Sequence, residues 1–241
     1  MKDEVGTRSG VTSSFRLHPS SFDPWLLWQL LDSAFPTGGF AHSSGIEAAW
    51  QHGLLEDGDA LREFVRAAIR QIARSAAPVA LAVRAEPESF ERWDRFLDAT
   101  LTNHVANRAS RAQGRALLNT AMATFESALL ASAEARARGM GGACHLPVAF
   151  GIVAASLGVP PEQCARGFIY MAARGMFSAA VRLGATGPLE AQRLQAEGSP
   201  QFEAAAQIAL QHPPEQITQT AFMADLLQGT QDRLYSRLFQ S

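Results

Sequence analysis

The sequence predicts an all-α protein: a single-domain bundle of about ten helices of unequal length with a helical C-terminal tail. Three observations point there. Helix-favouring alanine supplies 43 of the 241 residues, whereas valine and isoleucine together number only 17. Nowhere do β-branched and aromatic residues alternate between turn signals. After Asp57, Leu61, Phe64, Val65, Ala68, Ile69 and Ile72 recur at i, i+3, i+4, i+7, i+8 and i+11, one stripe of a 3.6-residue helix.

Taken in order, residues 1–22 are rich in Ser, Gly, Thr and charge, lack periodicity, and are predicted to form a disordered arm. Asp23-Pro24 is an N-cap followed by proline at the first helical position, opening a helix over 25–34. Phe35-Pro36-Thr37-Gly38-Gly39 breaks it, because proline lacks a donor and paired glycines impose no conformation. A second helix is expected over about 41–52, ended by Gly53. Along the helix after Asp57, Arg62, Arg66, Arg70 and Arg74 line a second face, and Pro78 should bend or restart the segment. Pro87 opens the next helix, with Phe90, Trp93, Phe96 and Leu97 facing inward. Residues 104–138 contain no proline and predict one long helix, ended by Gly139-Met140-Gly141-Gly142. The stretch 147–157 is almost wholly apolar and should be a central helix. Pro160-Pro161 starts another, running to about Leu183. Residues 188–211 make one or two more, interrupted near Gly198-Ser199-Pro200. His212-Pro213-Pro214 is a linker before a helical tail over 215–239. The organisation is thus an arm (1–22), a helical domain (23–228) and a terminal tail (229–241).

Composition excludes several classes. Twenty-one basic residues against 23 acidic ones give a net charge of −2, which argues against binding nucleic acid through phosphate neutralisation. No apolar run is long enough to cross a membrane, and the first residues lack the apolar core of a secretory signal, so a cytoplasmic location is expected. Cys144 and Cys164 are too few for a disulfide framework. Charged residues are only 18% of the chain, poor cover for a lone monomer, so faces covered by partners or by a second copy are expected.

Four features carry candidate chemistry. The segment from Asp32 to Glu47 sets an Asp, hydroxyls, His42 and a Glu around a glycine turn. A hydrolase built from Ser43, His42 and Asp32 is one reading, but adjacent residues on a helix point about 100° apart and seldom meet. A structural or binding corner is the other. The six histidines and two cysteines show no CxxC, HxxxH or HExxH spacing, so no tight metal site and no cofactor are expected. Arg108, Arg111 and Arg115, beside Asn107, Ser110 and Gln113, form one polar helix face suited either to solvent or to an interface. The last 16 residues carry Leu226, Leu227, Leu234, Tyr235, Leu238 and Phe239, an apolar end that either packs back on its own bundle or docks on a partner.

At these residues the sequence resembles the urease accessory proteins of the UreF type. Residues 30–47, from Leu30 through Asp32, Pro36, Gly38, Phe40 and His42 to Glu47, resemble the family's N-terminal signature. Asn107-Arg108-Ala109-Ser110-Arg111-Ala112-Gln113-Gly114 resembles its middle block, and Ala180-Val181-Arg182-Leu183-Gly184 with Gly187-Pro188 and Gln192 a third. Leu234-Tyr235-Ser236-Arg237-Leu238-Phe239-Gln240-Ser241 resembles its characteristic end. The resemblance spans about residues 25–241 and implies an all-helical, non-enzymatic urease assembly factor. Such a factor dimerises, binds a UreD/UreH-type accessory protein and recruits a UreG-type GTPase to build the dinickel centre of apo-urease. By that likeness Pro36, Gly38 and Phe40 face the GTPase, while Leu234, Tyr235, Arg237, Leu238 and Phe239 form the tail that meets the UreD-type partner. Asp32, His42, Glu47, Arg108, Arg111, Gln113 and Arg182 match the blocks without an assigned role. A strict GTPase activator that inserts an arginine is a further alternative, with no arginine singled out. The chain departs from its likeness in lysine, of which Lys2 is the only one.

Overall fold

The computed structural model describes residues 22–141 and 144–241. Among these, twelve α-helices follow one another and no strand occurs: α1 (Pro24–Leu31), α2 (Ile46–Gln51), α3 (Gly58–Ile72), α4 (Ala76–Ala85), α5 (Phe90–Thr100), α6 (His104–Thr124), α7 (Ala128–Gly139), α8 (Leu146–Ser156), α9 (Pro161–Arg182), α10 (Pro188–Glu197), α11 (Ser199–Gln211) and α12 (Phe222–Gly229). The all-α class predicted from alanine content and periodicity is the fold observed. The expected arm lies outside the described residues except for Phe22, which packs against the core.

The most apolar stretch of sequence becomes the axis of the bundle. Every residue of α8 from 147 to 154 is buried, so this helix has no polar face to show water. It packs most extensively on α4 and α6, while α9 packs against α4, α10 and α11. Two glycines allow the helices around α8 to approach at backbone distance. A Cβ on Gly151 would lie 2.5 Å from Ala80 O, and one on Gly114 would lie 2.1 Å from Cys144 O. Around this axis the stripe of α3 points inward through Leu61, Val65 and Ile69. Each fully buried side chain of this size contributes roughly 1.5–3 kcal/mol of gross transfer energy.

Local signals explain most helix starts. Asp23, Asp57, Asn103 and Ser127 each accept a backbone N–H from the first turn of α1, α3, α6 and α7. Three expectations are corrected. The predicted helix at 41–52 begins only at Ile46, because Gly38, Ser44 and Gly45 all have positive φ and residues 39–41 form a 3-10 turn. The long helix expected over 104–138 divides at Phe125, whose extended backbone lets its ring bury and stack on Phe35 at 5.9 Å, with Ser127 starting α7 afresh. The expected helical tail is helical only in α12 and a 3-10 turn at Gln231–Arg233. Before it, residues 218–221 run along α3, where Gln71 Oε1 accepts from Thr220 N and Ala221 N. After it, the last residues lie extended against the loop before α2, where backbone groups find partners that a helix would deny them. These divisions raise the count of helices above the ten or so expected.

The glycine contacts give a paired expectation. Gly114→Ala should destabilise the fold by about 2–3 kcal/mol or more, because backbone on both sides must shift. Gly175→Ala, at an exposed position of α9 with nothing within 4 Å of the new methyl, should stabilise it by about 0.5–1 kcal/mol. Urea melts of the two variants check both signs.

Candidate functional site

Residues from the first and last sequence blocks meet at one place, and a buried carboxylate holds them there. Glu47 lies in the first turn of α2 with 1% of its surface exposed. One oxygen accepts the backbone N–H of Leu238 at 2.5 Å; the other accepts the N–H of Phe239 at 3.1 Å and Gln231 Nε2 at 2.5 Å. An ionised carboxylate can be buried only when its lone pairs are met, and these donors meet them. The backbone adds Gln240 N to Ala41 O at 2.8 Å and Ser43 N to Ser241 O at 2.5 Å. Outside these, Gln51 Nε2 donates to Ser236 O at 2.7 Å. This tail clasp buries Phe239 while leaving Tyr235 fully exposed and Leu238 half exposed.

The loop on the other side of the clasp presents Phe40, 71% exposed, at the end of a turn that needs Gly38 at φ 72°. Pro36 is pinned through its carbonyl, which accepts from Thr120 of α6 at 2.9 Å. Arg182, at the end of α9, lies with its guanidinium 3.4 Å from the Phe40 ring centre and 4.3 Å from that of Phe239, and it donates to Phe40 O. Burial lowers the pKa of Arg182 and neighbouring Glu47 opposes the shift; an arginine remains charged. One side chain therefore joins the first, third and last sequence blocks.

A second junction was not foreseen. Asp232, in the 3-10 turn after α12, accepts from Arg108 at 2.8 and 3.1 Å and from Arg237 at 3.3 Å, with His104 Nε2 at 3.2 Å. The Arg108 hydrogen bond holds its carboxyl below the ordinary aspartate value. Arg111 instead bonds Asp98 at 2.7 Å. Behind the loop lies a cavity of about 740 Å3, lined among others by Phe35, His42, Gln113, Arg182 and Phe239.

The residues of the hydrolase alternative are not joined. Asp32 accepts from Ala34 N at 2.7 Å, His42 Nδ1 pairs with Ser241 Oγ, and Ser43 Oγ is buried with no hydrogen-bond partner among the described residues. Among the described residues no group of three or more His, Cys, Asp or Glu is placed to hold a metal ion. Both cysteines are buried thiols, and burial pushes Cys164 up to about 12. No helix of the described residues is long and apolar enough to cross a membrane.

The geometry is that of an all-helical scaffold presenting a fixed loop and a fixed chain end. Residues 55–198 match the UreF family. The chain is 35% identical to urease accessory protein F of Oryza sativa subsp. indica over 221 residues, covering 89% of this chain and 84% of the rice protein. It is also 35% identical to urease accessory protein F of Arabidopsis thaliana over 227 residues, 92% of this chain and 94% of that one. With UreF of Arthrobacter sp. (strain FB24) it shares 31% over 215 residues, 89% of this chain and 96% of its relative. The chain belongs to the UreF family.

Two expectations follow. Glu47→Gln puts an amide donor against N–H donors, so it should cost about 2–4 kcal/mol and raise hydrogen exchange at Leu238 and Phe239; equal protection in the variant would show that the clasp does not hold the tail. The second concerns pH. Burial lowers the pKa of His42, helped by the charge of Arg108, and burial lowers that of His145 against the opposing pull of Asp94 and Asp98. The unfolded chain therefore takes up protons first as pH falls below about 6.5, and stability present above that value is lost below it. Urea midpoints should drop between pH 7.5 and pH 5.5 (about two units spanning that window), and His42→Gln with His145→Gln should flatten the drop.

Proposed function

We propose that this protein is a urease maturation factor that works as a scaffold, without chemistry of its own. In this reading it dimerises, binds a UreD/UreH-type accessory protein through Leu234, Tyr235, Arg237, Leu238 and Phe239, and offers Pro36, Gly38 and Phe40 to a UreG-type GTPase. Nickel is then cargo delivered to apo-urease. The observation that carries the proposal is the 35% identity, over nearly the whole chain, to proteins named urease accessory protein F.

Geometry supports its parts. Phe40 and Tyr235 are large side chains turned to solvent on backbone that Arg182 and Glu47 fix, the arrangement of interface anchors ordered before binding. Their separation by the clasp allows two partners side by side. The dimer reading is supported by α1, where Trp25 and Trp28 are 70% and 58% exposed and touch edge to face at 4.8 Å. That helix packs on α9, which exposes Tyr170.

Point variants test this better than truncation, since removing residues 229–241 would also strip Glu47 of its donors. Tyr235→Ala should weaken binding of the UreD-type protein at least about tenfold, and Phe40→Ala should do the same for the GTPase, each with an unchanged melting curve. Titrations with purified partners measure both. Wild-type affinity in either variant would remove that residue from the proposed surface.

A further inference from the structure

The arginine row noted after Asp57 is not used by either proposed surface. Arg62, Arg66 and Arg70 all line a second cavity, of about 320 Å3, between α3 and the α10–α11 pair. Its walls are apolar: Val65 and Ile69 from α3, Phe177 from α9, Leu194 from α10, and Phe202 and Ile208 from α11. The cleft is shaped by a missing side chain. A Cβ on Gly198 would lie 2.6 Å from the Phe202 ring, so glycine lets that ring lie across the α10–α11 junction.

The charges on its rim are unevenly matched. Arg62 is paired with Asp59 at 2.6 Å and Glu197 at 3.3 Å, and Arg66 with Glu63 at 3.1 Å. The Nε atoms of both are buried without an acceptor among the described residues. Arg70 makes no side-chain hydrogen bond or ion pair among the described residues. One surplus cation thus borders an apolar cleft at the small end of ligand-pocket sizes.

We propose that this cleft binds a small amphipathic monoanion, a free carboxylic acid with an aliphatic body of medium length. The apolar body fills the space between Ile69, Phe177 and Phe202, and the carboxylate pairs with Arg70. The charge balance favours this occupant over others. A segment bearing several acids would meet Glu63 and Glu197 at the rim. The chain's own residues 1–21 carry three basic residues against two acidic ones, the wrong sign for Arg70.

The test uses the full chain, sodium octanoate and octan-1-ol, with isothermal titration calorimetry as the readout. Octanoate should bind at one site and more tightly than octanol. Arg70→Gln, at an exposed position, should weaken octanoate about tenfold and leave octanol unchanged. Ala204→Trp, at the exposed mouth, should block both. No octanoate binding at millimolar concentration, or equal affinity in Arg70→Gln, overturns the proposal. Undiminished binding in Ala204→Trp does so too, by placing the ligand in the larger cavity. Binding seen only after deletion of residues 1–21 would assign the cleft to the chain's own N-terminal segment instead.

Discussion

A carboxyl group buried to 1% exposure is costly unless donors surround it, and Glu47 draws its donors from residues 184 to 192 positions away. Much of the surface architecture follows from that constraint. The tail must run extended past α2 to bring the Leu238 and Phe239 amides to the carboxylate. Extended, it pairs its own backbone with residues 41 and 43, which lie outside α2. Gly45 completes the arrangement: with φ at 87° it lies against α12, where a Cβ would come 3.1 Å from Ala224 O.

Charge fixes the turn that leads into the clasp. Arg182 lies between two phenyl rings, and Asp232 gathers Arg108, Arg237 and His104. Exposed ion pairs contribute little singly, but several on one carboxylate fix a turn that would otherwise fray.

The helical class was legible because it depends on local properties: alanine, the α3 stripe, and the Asp23-Pro24 start act within a turn or two. The central position of α8 was legible for the same reason, since a helix apolar on all sides must be buried. What could not be read were choices made by distant partners. Nothing near Phe125 announces a break; its ring leaves the helix to reach Phe35, ninety residues earlier. Glu47 and Arg182 were visible only as members of sequence blocks, and their roles required knowing that the first and last blocks touch. Asp232 gave no signal at all beyond being an acid near a chain end rich in apolar residues. Apolar periodicity at the tail did not separate internal packing from docking, and the structure shows Phe239 buried and Tyr235 exposed in one stretch.

The span of the clasp also orders events in time. Synthesis runs from the N-terminus at roughly 5–20 residues per second. A growing chain that has reached α11 already holds the Phe40 loop, Glu47 and Arg182, yet lacks the amides that Glu47 requires and the Phe239 ring beneath Arg182. Most of the core residues precede residue 212, whereas the face beside Phe40 waits for the last sequence block. Residues 238 and 239 complete a surface begun near residue 36, so that face takes its shape only after the helices encoded between them have been made.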